Sequence, residues 1–340
     1  MSDKKVSVII PTCNRSSLLK SCIYSLLEQT FPGDSYEIIV IDDGSTDDTG
    51  EIIQAMVKQH DRLSYFKKER GGPPSALNLG IEKARGEIIA FIDDDAIARK
   101  DWIEKAVYLL EDKKASALEG KITTMPDKIS PFTHQNEKNK GGRYETINIF
   151  YTKKTLEDIG CFDEHFWDEK IDCHFRYDSD LAFRALEKGY KILFSEDVTV
   201  LNPPSEPRIK TPFQLARRYY FDALLCKKYP KLYRQNLQVF EFGNIKISKP
   251  KQKLYKLYIV SFLLLLFSSA FKNTGIFIAA ATTFLFFYMG VLIIHSRMWR
   301  TGRIRPVDFM LCIPISAIIP FVYFYWLVKG MFKFKKIILW

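Results

Sequence analysis

The sequence predicts an α/β domain, with a mainly parallel sheet and helices on both faces, followed by a C-terminal transmembrane helical region. Three observations predict it. Short apolar runs alternate with amphipathic stretches over the first 110 residues, which calls for right-handed crossovers between parallel strands. Three of those runs end in polar segments, Pro11 to Asn14, Asp42 to Ser45 and Asp93 to Asp95, and ligands of such sheets bind outside the carboxyl ends of the strands. The last third then turns apolar. Leu257 to Phe271, Thr274 to Ile294 and Phe309 to Val328 carry no charge, and a spanning helix needs about 20 such residues, range about 17 to 25.

Taken in order, Val6 to Ile10 is an apolar strand, and Ser16 or Ser17 caps a helix reaching Gln29. Leu18, Leu19, Cys22, Ile23, Leu26 and Leu27 recur on one face of it. After Phe31-Pro32-Gly33 comes a strand at Glu37 to Ile41, a helix at Gly50 to Gln59 and a strand at Leu63 to Phe66. A GGPP turn, a helix over Ser75 to Ala84 and an acid-tipped strand from Ile88 follow, then a helix over Trp102 to Asp112. Lys121 to Met125 and Glu145 to Tyr151 read as strands flanking a polar loop, Asp127 to Arg143. Lys154 to Ile159 is a short helix, and Asp178 to Lys188 is a longer one ended by Gly189. Lys191 to Phe194 and Val198 to Leu201 are short strands. Asn202 to Pro212, with four prolines, reads as a loop or lid near the rim.

The domain division is 1–212 for the α/β part, 213–256 for a basic amphipathic connection, 257–328 for the membrane region of two or three helices, and 329–340 for a basic tail. Lys and Arg exceed Asp and Glu by 50 to 40, which suits an anionic partner. Five lysines between Glu241 and Lys256, and Arg297, Arg300, Arg303 and Arg305 in the loop from His295 to Asp308, fit the positive-inside rule. Tyr255, Tyr258, Trp299, Tyr325, Trp326 and Trp340 fit an interfacial belt. Pro314 and Pro320 would let the last run kink or re-enter. The six cysteines lack metal or disulfide spacing and predict a reducing compartment.

The chemistry concentrates in IIAFIDDDA, where a strand runs straight into Asp93, Asp94 and Asp95. Three adjacent carboxylates repel one another. A divalent cation relieves that, since hard ions such as Mg²⁺ take one or two carboxylates plus substrate phosphates; a solvated acidic loop is the plain alternative. No G-x-G-x-x-G and no Walker A motif is present, so dinucleotide and P-loop readings lose their main support.

Four segments, in order, resemble the family-2 glycosyltransferases, inverting enzymes of the GT-A fold that use nucleotide sugars: VSVIIPTCNR, IIVIDDGSTDDT, RGGPPSALNLGIEKARGEIIAFIDDDA, and GCFDEHF with RYDSDLAFRALEKGY. The resemblance covers residues 5–204. It implies that Asp43 reads the nucleobase, that Pro11 and Thr12 line base and ribose with Asn14 and Arg15 behind, and that Gly71 and Asn78 lie near the nucleotide. Asp42 and Asp43 would otherwise serve an Asx-type turn. The resemblance further implies Asp95 as direct ligand of Mg²⁺ or Mn²⁺, Asp93 as a contact to a ribose hydroxyl or, through water, to the metal, and Asp94 near the donor sugar. Asp178 matches the base that removes the acceptor proton, and a helix N-terminus would keep it ionised.

This sequence departs from the family pattern at Leu77, where many members have Arg, at Tyr177, where Glu is common, and at Asn202, where a His that joins the metal or diphosphate is usual. Asn202 would then meet the metal weakly through its carbonyl oxygen, or by way of a water. QLARR echoes a signature of processive members, and Arg217 and Arg218 would clamp diphosphate or serve as a solvated basic face. The implied activity is transfer of one sugar from a nucleoside-diphosphate sugar, UDP before GDP, to a lipid-linked phosphate or glycan acceptor. Anionic lipids are expected partners and nucleic acid is not; the protein would be multi-pass in the cell membrane with a cytoplasmic catalytic domain. A catalytically inactive sugar-nucleotide sensor and a nucleotidyltransferase are the competing classes.

Overall fold

The computed structural model describes residues 4–237, 239–242, 245–248, 250–271, 273–296 and 304–338. Arg297, Trp299, Arg300, Arg303 and Trp340 lie outside them. The chain divides into two compact units, residues 1–124 with 135–203, and residues 125–134 with 204–340.

The first unit is built on an eight-stranded sheet of β1 (Val6–Thr12), β2 (Tyr36–Asp43), β3 (Leu63–Lys68), β4 (Ile88–Phe91), β5 (Ile97–Ala98), β6 (Ala117–Thr123), β7 (Ile149–Thr152) and β10 (Ile192–Leu201), with β8 (Trp167–Asp168) and β9 (Cys173–His174) as a separate hairpin. Their order is β3-β2-β1-β4-β7-β6-β10-β5. β1 pairs in parallel with β2 and β4, as do β2 with β3 and β6 with β10, while β7 and β5 run antiparallel to their neighbours. The mainly parallel sheet of the sequence reading is therefore observed, with two reversed strands. β7 is reversed because the chain reaches it through a long irregular segment instead of a helical crossover. Every residue of β2 is buried, as befits a strand covered on both faces. The two strands expected between Lys191 and Leu201 are one bulged strand, its register shifting between Ser195 and Thr199.

Helices α1 (Ser16–Leu27), α2 (Thr49–Val57), α3 (Gly72–Lys83), α4 (Trp102–Asp112), α5 (Lys153–Ile159) and α6 (Tyr177–Glu187) cover the sheet. α3 begins inside the expected GGPP turn, because prolines in the first helical turn lack only N–H groups that would be unpaired there anyway. Gly80 brings α3 onto β1: a Cβ would lie 2.4 Å from Ile9 Cγ2.

The polar loop after β6 is anchored by a buried ion pair. Lys138 and Glu119 are 3.0 Å apart with side chains 0% and 1% exposed, and Glu119 also accepts from the amides of Gly142, Arg143 and Tyr144. Lys138 and Ile122 exchange two backbone hydrogen bonds of 2.9 Å. Removing one partner of a buried pair strands the other charge, at about 3–5 kcal/mol. Glu119→Ala is accordingly expected to lower stability by about that amount, read as a lower urea midpoint of the full chain in detergent.

The second unit carries α7 (Thr211–Arg217), α8 (Asp222–Lys228), α9 (Pro230–Asn236), the hairpin β11 (Val239–Phe242) with β12 (Ile245–Ser248), and three long helices: α10 (Pro250–Ser268), α11 (Thr274–Ser296) and α12 (Pro306–Phe334). α11 and α12 are long and apolar enough to cross a membrane, with mean hydropathy 2.3 and 2.0 and only 11% and 33% of their apolar windows buried. Phe286, Ile278, Met310 and Phe332 point outward, the reverse of a soluble core helix. α12 is continuous through Pro314 and Pro320. Tyr258 of α10 donates to the Ala317 carbonyl at 3.0 Å and Tyr288 of α11 to the Ile313 carbonyl at 2.7 Å, which ties both helices to α12.

Candidate active site

The rim at the carboxyl ends of β1, β2 and β4 assembles from three loops. Asn14 follows β1 with φ +55°, a conformation Asn tolerates well. Its side-chain carbonyl accepts from the amides of Thr46 and Asp47 at 2.8 and 3.2 Å, and its own amide donates to Ser45 Oγ at 2.8 Å. Asn14 thus locks the end of β1 to the loop after β2. Pro11 is half-buried and Thr12 donates to Asp94 Oδ2 at 2.7 Å. Arg15 Nη1 reaches Asp94 Oδ1 at 2.8 Å and Asp95 Oδ2 at 3.1 Å.

The two acids ending β2 divide their work. Asp42 makes the Asx-type turn, accepting from the Ser45 amide at 2.7 Å and from the Tyr65 hydroxyl at 2.5 Å. Asp43, 6% exposed, accepts from the Gly71 and Gly72 amides at 2.8 Å each and from Lys68 at 3.1 Å. Each carboxylate oxygen has two acceptor sites, so capacity for a further donor remains. Gly72, at φ +81°, is irreplaceable in space as well: a Cβ would lie 2.4 Å from the Trp167 ring. Asn78 is turned to the loop after α5, exchanging hydrogen bonds with the Phe162 backbone at 2.8 and 3.0 Å.

Asp95 receives a second element. Asn202 Nδ2 donates to Asp95 Oδ1 at 3.0 Å, while its carbonyl accepts from the Asn136 amide at 2.7 Å. That amide fixes the Asn202 orientation, so Asn202 meets the acidic cluster through its nitrogen, at Asp95, and not through a carbonyl oxygen. Burial, followed by Asp95 and Asp94, pushes Asp93 well above the usual carboxylate range; burial also raises Asp94, against the pull of Arg15. Hard carboxylate oxygens with excess negative charge are the donor type that suits Mg²⁺ or Mn²⁺. Among the described residues no three His, Cys, Asp or Glu side chains converge on one metal position. Asp93 and Asp95 would therefore share the ion with phosphate or water oxygens.

Asp178 sits in the first turn of α6, with Oδ1 accepting from the Ser179 amide at 2.6 Å and its hydroxyl at 3.2 Å. Its pKa is pushed up to about 6, first by burial and then by Glu145, with Ser179 and Arg176 opposing. Burial thus outweighs the helix-terminus effect expected from sequence. Asp180 is fully buried against Arg184, 3.1 Å away. Glu145, which sequence reasoning passed over, raises both Asp93 and Asp178. It lies within electrostatic reach of both ends of the site, and an acid directly before an apolar strand was its sole signal. Arg217 and Arg218 belong to the second unit, where Arg218 Nη1 is 3.2 Å from His134 Nε2.

Residues 7–165 match the profile of Glycosyl transferase family 2. Glycosyltransferase AglE of Haloferax volcanii is 29% identical over 225 residues, 62% of this chain and 72% of that protein. The GalNAc(5)-diNAcBac-PP-undecaprenol beta-1,3-glucosyltransferase of Campylobacter jejuni is 44% identical over 93 residues, but these are 27% of this chain and 29% of that protein. Among solved structures, the mannosyltransferase PcManGT from Pyrobaculum calidifontis, in complex with GDP-Man and Mn²⁺, superposes with a TM-score of 0.60 at 20% identity, over 92% of this chain and 87% of that one; this likeness concerns the fold. Over residues 7–165, then, the chain matches Glycosyl transferase family 2, on a GT-A-like fold followed by C-terminal apolar helices consistent with membrane anchoring.

Proposed function

We propose that the protein is a membrane-bound, inverting, metal-dependent glycosyltransferase. It moves one sugar from a nucleoside diphosphate to a polyprenyl-linked phosphate or glycan, with its catalytic domain on the cytoplasmic side. The observation that carries this reading is the convergence of Thr12, Arg15 and Asn202, from distant parts of the chain, on Asp94 and Asp95. Such a cluster, with more carboxylates than cations, suits a cation shared with a diphosphate. The GDP-Man and Mn²⁺ bound in the PcManGT complex support the donor class, and the undecaprenol-linked substrate for which the Campylobacter enzyme is named supports the acceptor class.

In this reading Asp93 and Asp95 hold the ion, and Asp43, Pro11 and Thr12 face the nucleoside. Bound there, a divalent cation neutralises charge on the departing diphosphate. Arg15 keeps Asp94 and Asp95 oriented, and Asp178 accepts the acceptor proton on the face opposite the leaving group. The full chain in detergent, given radiolabelled UDP- or GDP-sugars and membrane lipid extract, is expected to yield label that partitions into organic solvent. Label confined to water-soluble products would sink the lipid-linked acceptor.

A further inference from the structure

Beside Asp178 stands a row of aromatic side chains. Two-residue strands β8 (Trp167–Asp168) and β9 (Cys173–His174) form a hairpin that sets Trp167 opposite His174. Ring centroids are 6.2 Å apart from Trp167 to His174 and 5.9 Å from His174 to Tyr177, and all three residues are partly exposed. Tyr177 directly precedes Asp178. Its hydroxyl lies 3.3 Å from that of Thr146, which brings the neighbouring Glu145 to the same place. Glu145 is held by one oxygen: Oε1 receives Arg143 Nη2 at 2.5 Å, whereas Oε2 is buried with no hydrogen-bond partner among the described residues. A buried carboxylate oxygen without a donor is unfavourable, so a ligand that brings an O–H group complements it.

Ring faces next to carboxylate acceptors match a pyranose, whose C–H face stacks on aromatics and whose hydroxyls donate. A phosphate monoester is a poorer match: its acceptor oxygens would face those of Asp178 and Glu145, and the cations around them are engaged, Arg143 on Glu145 and Arg70 between Asp172 and the Trp167 ring, with Arg176 opposing at Asp178. Resting on the glycosyltransferase reading above, we propose that the acceptor is a hydroxyl of a neutral sugar already on the glycan, not a phosphate group, and that Trp167, His174, Tyr177 and Glu145 form its subsite. Glu145 is a positioning residue that accepts from a neighbouring hydroxyl of that sugar. In the step, the acceptor oxygen bonds to the donor's anomeric carbon and the bond from that carbon to the diphosphate oxygen breaks. The electron pair leaves on the diphosphate and the acceptor proton ends on Asp178.

The test uses the full chain in detergent with UDP-glucose, UDP-N-acetylglucosamine or GDP-mannose. One arm offers p-nitrophenyl glucoside, galactoside, mannoside and N-acetylglucosaminide; the other offers polyprenyl monophosphate. Transfer to at least one pyranoside and none to the monophosphate is expected. For that pyranoside, Trp167→Ala and Glu145→Gln should each lower kcat/KM at least tenfold, mainly through KM, and Trp167→Phe should recover most of the loss. Should Trp167→Ala fail to fold, seen as a missing thermal transition, the near-isosteric Glu145→Gln carries the comparison. Transfer to the monophosphate with every pyranoside inert, donor hydrolysis with every acceptor inert, or an unaltered acceptor KM in Glu145→Gln overturns the subsite and leaves the glycosyltransferase reading standing. Absence of nucleoside diphosphate release under all conditions overturns that reading itself.

Discussion

Asp178→Asn is expected to lower kcat by about 10³-fold with little change in donor KM, because general-base catalysis contributes about 10²–10⁴-fold. The amide keeps the size and the bond to the Ser179 amide but has no basic oxygen for the proton. The wild-type profile supplies the second readout. A base with a pKa of about 6 works when deprotonated, so the rate is sustained above that value. As pH falls through it, the rate drops by about a factor of ten per unit. In Asp178→Asn this acid limb should vanish along with the base-dependent rate. In Glu145→Gln it should move to lower pH, since a neighbouring negative charge that raises Asp178 is gone while burial remains. A wild-type rate in Asp178→Asn would remove Asp178 from the mechanism.

Asp95→Ala, and chelation of the wild-type protein, should have effects of similar size on the opposite half of the reaction. Charge stabilisation by a bound cation is worth several kcal/mol, and each 1.36 kcal/mol is tenfold; the expected loss is about 10³-fold. The substitution also removes the acceptor of Asn202 and one of the two carboxylates that hold Arg15. Binding separates this from a folding defect. Mn²⁺ should tighten UDP or GDP binding to the wild-type chain in titration calorimetry and do so far less in Asp95→Ala, with the thermal transition retained. Full turnover in excess EDTA would end the metal assignment.

Local pattern carried a large part of the architecture. Apolar runs of strand length and helical stripes gave β1 to β4, α1, α2 and α4 within a few residues, because those signals are written in consecutive side chains. Length and apolarity likewise marked α11 and α12. The acids at the strand ends were legible for the same reason, since in a parallel sheet every strand of one direction ends on one rim. Less legible was the stretch from Glu119 to Tyr151. There Glu119 and Lys138 meet in the core, a pairing between residues with no local mark, and the polar composition between them looks like any solvated loop.

By itself, then, the sequence determined the alternation of strands and helices, the resemblance to a family over its first half, the apolar C-terminal helices and the acids at the tips of β2 and β4. Tertiary structure alone decided which of those acids are engaged and with what. Asp42 is spent on a turn, Asp43 gathers the Gly71 and Gly72 amides, Asp94 is tied to Thr12 and Arg15, and Asp178 is lifted to about 6. It also brought Glu145 beside Asp178, through a hydroxyl contact between Thr146 and Tyr177. The reason is physical: local periodicity fixes a backbone state, whereas the burial and charge that set a carboxylate's chemistry come from residues distant in the chain.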